Sequence, residues 1–206
     1  MNLRELEIIS QNIGGVFSLP QLQLYEPKFL CSNLVRRHKQ GFIKRITRGR
    51  YILASQPTDE IELYRCSNQI FQPSYISMES ALRHYDLIPE GVYLTTACTT
   101  KKTQTLSGDV GTFYYYHLKP SLFRGYSLIT DERAKRQYLL AQVEKAVCDF
   151  FYLKPHLKEQ DFSELRIDTD HLRELTTPEK LQTCADTFKV SRLSNSIRLF
   201  ISFATS

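Results

Sequence analysis

Residues 27–58 contain no Asp or Glu, yet they hold eight Lys/Arg: Lys28, Arg36, Arg37, Lys39, Lys44, Arg45, Arg48 and Arg50. The order of residue types inside this stretch narrows the fold more than any other feature. From Pro27 to Gln40, Leu30, Cys31, Leu34 and Val35 recur at helical spacing, with His38 at the edge, which predicts a helix with that side inward. The other side reads Phe29, Ser32, Asn33, Arg36, Arg37 and Gln40; its polar members are types that hydrogen-bond base edges or phosphates. Phe29 is expected to pack against a preceding helix rather than reach a ligand. Gly41 stops the helix. Phe42–Ile46 and Arg50–Leu53 then read as two strands about the turn Thr47-Arg48-Gly49. A helix followed by a basic hairpin is the outline of a winged helix-turn-helix, with the helix in a major groove and Arg48 at the wing tip. The candidate DNA-contacting residues are Lys28, Ser32, Asn33, Arg36, Arg37 and Lys39 on the helix, and Lys44, Arg45, Arg48 and Arg50 on the hairpin.

The charge balance points the same way. Residues 1–55 carry nine Lys/Arg against Glu5, Glu7 and Glu26, whereas the rest of the chain carries 18 basic and 19 acidic groups. A region that concentrates the cationic excess attracts a polyanion, and release of counterions from phosphates supplies the affinity. A merely solvated surface usually mixes signs. No apolar run is long enough for a membrane span, and the first 30 residues lack a secretion signal. Cys31, Cys66, Cys98, Cys148 and Cys184 are scattered and odd in number, which fits reduced, mostly buried thiols in a cytoplasmic protein. The five histidines show no metal-ligand spacing, so neither metal nor cofactor is expected.

Two further helices are expected before the basic stretch. Leu3–Gln11 would turn Leu3, Leu6 and Ile9 inward and end at Gly14-Gly15. Ser18 would cap a short second helix with Pro20 in its first turn, and Leu22 and Tyr25 would pack inside. Ser55-Gln56-Pro57-Thr58 marks a boundary between domains at 1–55 and 60–206. Beyond it, helices are expected from Asp59, from Ser77 to Tyr85 and from Ala141 to Leu153. Strands are expected at Val92–Thr99, Thr112–Leu118, Tyr126–Ile129 and Gln137–Leu140, with helices at Pro178–Phe188 and Leu193–Phe203. The fold class is therefore α+β: an N-terminal winged helix-turn-helix, then a mixed domain with a small antiparallel sheet and C-terminal helices. Lys145 and Asp149, four apart, are expected to pair on a helix surface, and Glu144 to cap or to pair with the sheet. Tyr114, Tyr115 and Tyr116 should alternate between strand faces. No Gly-rich phosphate loop or nucleophile elbow is present, so an enzyme is not expected.

Three segments resemble one family. Gly41–Tyr51 is similar to the wing of the AbiEi group of abortive-infection antitoxins. Pro73–Leu82, followed by Asp86-Leu87-Ile88, is similar to that family's helix start, and Glu144–Asp149 to the motif opening a late helix. Where the family often has Gly, this chain has Asp86, a residue that tolerates a left-handed backbone. The resemblance implies a winged-helix repressor of its own operon that neutralises a nucleotidyltransferase-like toxin, in a type IV toxin–antitoxin system, without a stable complex. It covers most of residues 15–153 and leaves the last fifty residues unmatched.

The expected partners are double-stranded DNA, as an inverted repeat in the protein's own promoter read by two copies, and a functional partner toxin. Three alternatives stand beside this reading: an orphan winged-helix regulator, a protein-interaction module, and an enzyme in the second domain.

Overall fold

The first helix, α1 (Leu3–Asn12), starts where Asn2 and Glu5 satisfy each other's main-chain N–H groups. The computed structural model describes residues 1–89, 94–131 and 136–205. α1 buries Leu6, Ile9 and Ser10, while Leu3 is exposed because the covered face begins one turn later than its pattern suggests. Gly14 and Gly15 then reverse the chain at φ +84 and +90, the left-handed region that favours glycine. α2 (Leu19–Gln23) follows, with Pro20 in its first turn. Ser18 stands at its cap position, but its hydroxyl donates to Gln21 Oε1 at 2.7 Å rather than capping a helix N–H. Leu22 is fully buried; Tyr25, expected beside it, is half exposed, because it lies past the end of the helix.

α3 (Cys31–Lys39) is shorter than its apolar period implies. A tight turn from Glu26 to Phe29 precedes it, with Phe29 N donating to Glu26 O at 2.9 Å. β1 (Ile43–Thr47) and β2 (Arg50–Leu53) pair antiparallel, Ile43 opposite Leu53, about a turn in which Gly49 has φ +75. The outer edge of β2 is closed by Phe17, which exchanges two 2.9 Å hydrogen bonds with Tyr51. Leu6, Ile9, Phe17, Leu22, Phe29, Leu34, Ile43 and Leu53 form one buried cluster. Val16, Ile46 and Ile52 belong instead to the larger core of the rest of the chain, so the two cores meet at the hairpin.

That larger core surrounds a six-stranded sheet: β3 (Ser74–Ile76), β4 (Leu94–Thr99), β5 (Gln104–Gly108), β6 (Gly111–His117), β7 (Tyr126–Asp131) and β8 (Arg136–Ala141), in the order β5-β6-β4-β3-β8-β7. The architecture is α+β, with helices α4 (Glu60–Ile70), α5 (Met78–His84) and α6 (Val143–Leu153), then C-terminal α7 (Thr169–Leu175), α8 (Pro178–Asp186) and α9 (Ser191–Thr205). Antiparallel pairing holds for β5/β6, β3/β4 and β7/β8, whereas β4/β6 and β3/β8 run parallel. The expected strand start at Val92 lies outside the described residues. Asp86 takes φ 54, a left-handed conformation that Asp tolerates better than most residues. No helix among the described residues is long and apolar enough to cross a membrane.

Candidate nucleic-acid interface

α3 presents a different side to solvent from the one its apolar residues suggest. Leu30, Cys31 and Val35, expected inside, are exposed, and Arg37, expected outside, is buried, while Phe29 packs inside in one cluster with Leu22 of α2, as expected. Leu34 and Arg37 anchor the helix inward. The reason is local. Arg37 is turned in so that its guanidinium donates to the Met1 carbonyl and lies 5.6 Å from the Phe29 ring centre. Once Phe29, Leu34 and Arg37 fill the inner side, Leu30 and Val35 must face out. Arg37 thus leaves the set of candidate DNA contacts and becomes a strut between α3 and the start of α1.

The remaining candidates stay together. Ser32 and Arg36 lie four apart on the exposed side, and Cys31, Val35 and Lys39 form the neighbouring row. Asn33 is half-buried at the margin, and Lys28 is exposed just ahead of the helix. On the hairpin, Arg45 and Arg48 are exposed and Lys44 is half-buried. Arg50, also half-buried, reaches back to Gln21 Oε1 at 3.4 Å, which ties β2 to α2.

Among the described residues, none of Lys28, Arg36, Lys39, Lys44, Arg45, Arg48 or Arg50 forms an ion pair. The larger core behaves otherwise: Arg65 pairs with Glu62, Arg136 with Asp59 and Asp131, Lys145 with Asp149, and Lys154 with Glu79. Cations without a carboxylate partner leave a net positive field over the α3–hairpin surface.

A carboxylate does enter this surface, from the turn between β5 and β6. Asp109 Oδ2 accepts from Arg45 N at 2.8 Å and lies 2.6 Å from His38 Nε2, while Asp109 N donates to Arg45 O at 2.7 Å. Partial burial works against ionisation of Asp109. The Arg45 N–H, the His38 ring and the nearby positive charge outweigh it and hold the carboxyl below its ordinary range. The approach is close enough that a Cβ on Gly108 would stand 2.1 Å from Ile46 O. The outer edge of β1 is therefore closed by main chain from the second core. Ser107–Gly111 is recognisable in the sequence as a turn, but nothing local says which strand edge it meets.

The same unit also exposes apolar side chains: Leu24 (82%), Leu30 (61%), Phe42 (46%) and Val35 (45%).

Ser77 and the Glu144–Asp149 segment, far apart in sequence, converge on a second, wholly buried polar group. Asp149 accepts from the Tyr75 and Ser77 hydroxyls, each at 2.8 Å, and from Lys145 Nζ. Lys145 and Asp149 therefore pair as their spacing predicts, but in the interior, at 3% and 0% exposure, rather than on the helix surface. Burial comes from elements distant in sequence, and Phe188 after α8 covers the ammonium at 4.4 Å. Ser77 begins α5 in position only, because its hydroxyl is committed to Asp149 instead of a helix N–H. Glu144 accepts from the Thr176 hydroxyl at 2.5 Å, beyond α7 rather than on the sheet. Burial and the adjacent Asp149 carboxylate push the Tyr75 hydroxyl pKa up, keeping it a donor. Tyr115 is buried, and Tyr114 and Tyr116 share the opposite strand face with ring centres 4.5 Å apart. No group of three or more His, Cys, Asp or Glu among the described residues is arranged to hold a metal ion. The chain matches no protein-family model, and no curated protein matches it in sequence.

Proposed function

We propose that residues 1–55 form a winged helix-turn-helix that binds duplex DNA in sequence-selective fashion, and that the chain acts as a transcriptional repressor. The observation that carries this reading is the set of ion-pair-free cations shared by the exposed side of α3 and the hairpin. Ser32 and Arg36 have the chemistry to read base edges, with each good bidentate contact contributing ~1–3 kcal/mol of discrimination. Asn33 adds to it from the margin. Lys28, Lys39, Lys44, Arg45, Arg48 and Arg50 neutralise phosphates. Two copies on an inverted repeat fit a repressor of this kind. The resemblance at Gly41–Tyr51, Pro73–Leu82 and Glu144–Asp149 extends the proposal to a type IV antitoxin acting on a nucleotidyltransferase-like toxin.

The test is binding of the full chain to a randomised duplex library at several salt concentrations. Recovery of one enriched motif, with affinity falling steeply as salt rises, supports the reading. Uniform weak retention of all sequences removes the repressor.

A second reading has its own observation. Leu24, Leu30, Val35 and Phe42 give the same unit an apolar surface suited to a protein partner. In that case an interaction module would bind its partner with little dependence on salt and would ignore DNA.

A further inference from the structure

α6 and α8 bring together two thiols that neither site above uses. Cys148, one turn after Lys145 on α6, is fully buried, and its Sγ lies 3.9 Å from Leu181 O on α8. Cys184 follows Leu181 by one turn of α8. It is only half-buried, and it forms part of the wall of a cavity of about 190 Å³. Lys145, Arg124, Leu122 and Phe188 line the same cavity. Arg124 also donates to Thr187 O at 3.0 Å, which fixes the C-terminal end of α8 against this wall.

The surroundings divide the two sulfurs between two roles. A hydrogen bond from the Cys148 S–H favours a thiolate at Cys184, and the Lys145 ammonium adds to it. Together they outweigh burial and the Asp149 and Glu144 carboxylates, and they hold the Cys184 thiol below its ordinary range. The same contact, with burial, pushes the Cys148 thiol up. A partly exposed thiol stabilised as its anion beside a cation is a nucleophile, and a protonated thiol at its back is placed to resolve the oxidised product. Cys66 and Cys98 differ: both are buried, and burial pushes their thiols up.

We infer that Cys184 and Cys148 form a hydroperoxide-reactive dithiol, with Cys184 as the attacking sulfur and Cys148 as the resolving one. The Cys184 thiolate attacks one oxygen of hydrogen peroxide entering through the cavity. An S–O bond forms, the O–O bond breaks, and hydroxide leaves to be protonated by solvent. The Cys148 sulfur then attacks the Cys184 sulfenic acid. An S–S bond forms, the S–O bond breaks, and the hydroxide departs with the Cys148 proton as water. Two thiols lose two electrons in all, and the peroxide gains them. The product staples α6 to α8, and a thiol reductant reverses it. This inference does not depend on the DNA-binding reading.

Peptide mass mapping of the full chain tests the site, after stoichiometric hydrogen peroxide, acid quenching and blocking of the remaining thiols. A bond between Cys148 and Cys184 should form before Cys31 is consumed, and dithiothreitol should restore both thiols. This readout on the unsubstituted protein needs no variant to fold. Cys184→Ser should slow peroxide oxidation of Cys148 by roughly tenfold or more, because the attacking thiolate is gone. Cys148→Ser should leave a sulfenic acid on Cys184 that dimedone captures. Disulfides formed through Cys31 alone, Cys184 carried to sulfinic acid while Cys148 stays free, or no oxidation of either sulfur overturns the dithiol. Undiminished oxidation of Cys148 in folded Cys184→Ser overturns Cys184 as the attacking sulfur.

Discussion

Asp109 holds both main-chain groups of Arg45, its carboxylate accepting from Arg45 N at 2.8 Å and its own N–H donating to Arg45 O at 2.7 Å. The contact has two consequences that separate under mutation. Asp109→Asn keeps a side-chain acceptor but removes a negative charge from a cationic surface. DNA affinity at low salt should rise a few-fold, and folding stability should drop by about 1 kcal/mol, the usual size of a weakened charged hydrogen bond. Fluorescence anisotropy and urea denaturation measure the two effects. The sign of the pH response follows as well. A carboxyl held below its ordinary range adds stability above that range and loses it as pH falls through its lowered pKa, so Asp109→Asn should flatten the acid limb of the stability curve.

Arg48 and Arg37 make a matched pair for testing the interface. Arg48 is exposed at the hairpin turn, and Arg48→Ala should reduce the salt slope of DNA binding by about one unit on every sequence. Arg37 is buried against Phe29 and the Met1 carbonyl, so Arg37→Ala should lower stability by ~1–3 kcal/mol and leave the salt slope of the folded protein unchanged. Reversal of these two outcomes would show that the orientation of α3 has been assigned the wrong way round.

Much of this architecture can be read from the residues, and the exceptions share one physical cause. Helix boundaries at α1, α6 and α8 and the hairpin about Gly49 follow from local signals: caps, glycines and periodicity. The rotation of α3 does not. Leu30, Cys31, Leu34 and Val35 look like an inward stripe, but a long arginine with an apolar stem can replace two aliphatic residues inside if its head finds a carbonyl. Likewise Lys145 and Asp149 are legible as a pair but not as a buried one, since their cover comes from β3 and the segment after α8. β3 is only Ser74–Ile76, too short to show alternation, although it sits near the middle of the sheet and makes one of its parallel pairings. In the candidate interface the cations were visible as a run, whereas Asp109 was not, because nothing in a turn states which distant edge it will close.

Cys31 offers a direct footprint. It is exposed on the same side of α3 as Ser32 and Arg36, whereas Cys66, Cys98 and Cys148 are buried. Burial, reinforced by Glu62, pushes the Cys66 thiol up to about 12, well away from the reactive range. A maleimide should therefore label Cys31 before any of those three. Bound duplex DNA should slow that labelling several-fold. Mass spectrometry of labelled peptides with and without DNA reads the effect, and equal rates would move the groove contact off α3.

The buried Lys145–Asp149 group should behave as one unit. Asp149→Ala strands an ammonium and two hydroxyls in the interior and should cost ~3–5 kcal/mol, as should Lys145→Ala. The double substitution should cost clearly less than the two added together, because the partners share one interaction. Chemical denaturation of all three variants measures the coupling, and strict additivity would mean the pair is not a unit.

His84 sits among the rings of Tyr64, Tyr85 and Tyr138, with centre distances of 6.2, 5.3 and 6.0 Å. Burial lowers its pKa despite the opposing pull of Glu60 and Asp86. The unfolded chain takes up this proton near pH ~6.5, before the folded chain does. Stability is thus complete above that pH and declines as pH drops below it. His84→Phe should reduce the loss between pH 7.5 and 5, as seen in denaturant midpoints.

The meeting of Gly108 with the main chain of β1 bears on portability. A chimera that transplants residues 1–55 onto a foreign body would leave Arg45 with a bare N–H and C=O on an open strand margin. Such a graft invites self-association unless it travels with the 107–111 turn, so the segment that breeds true as a module is discontinuous in sequence.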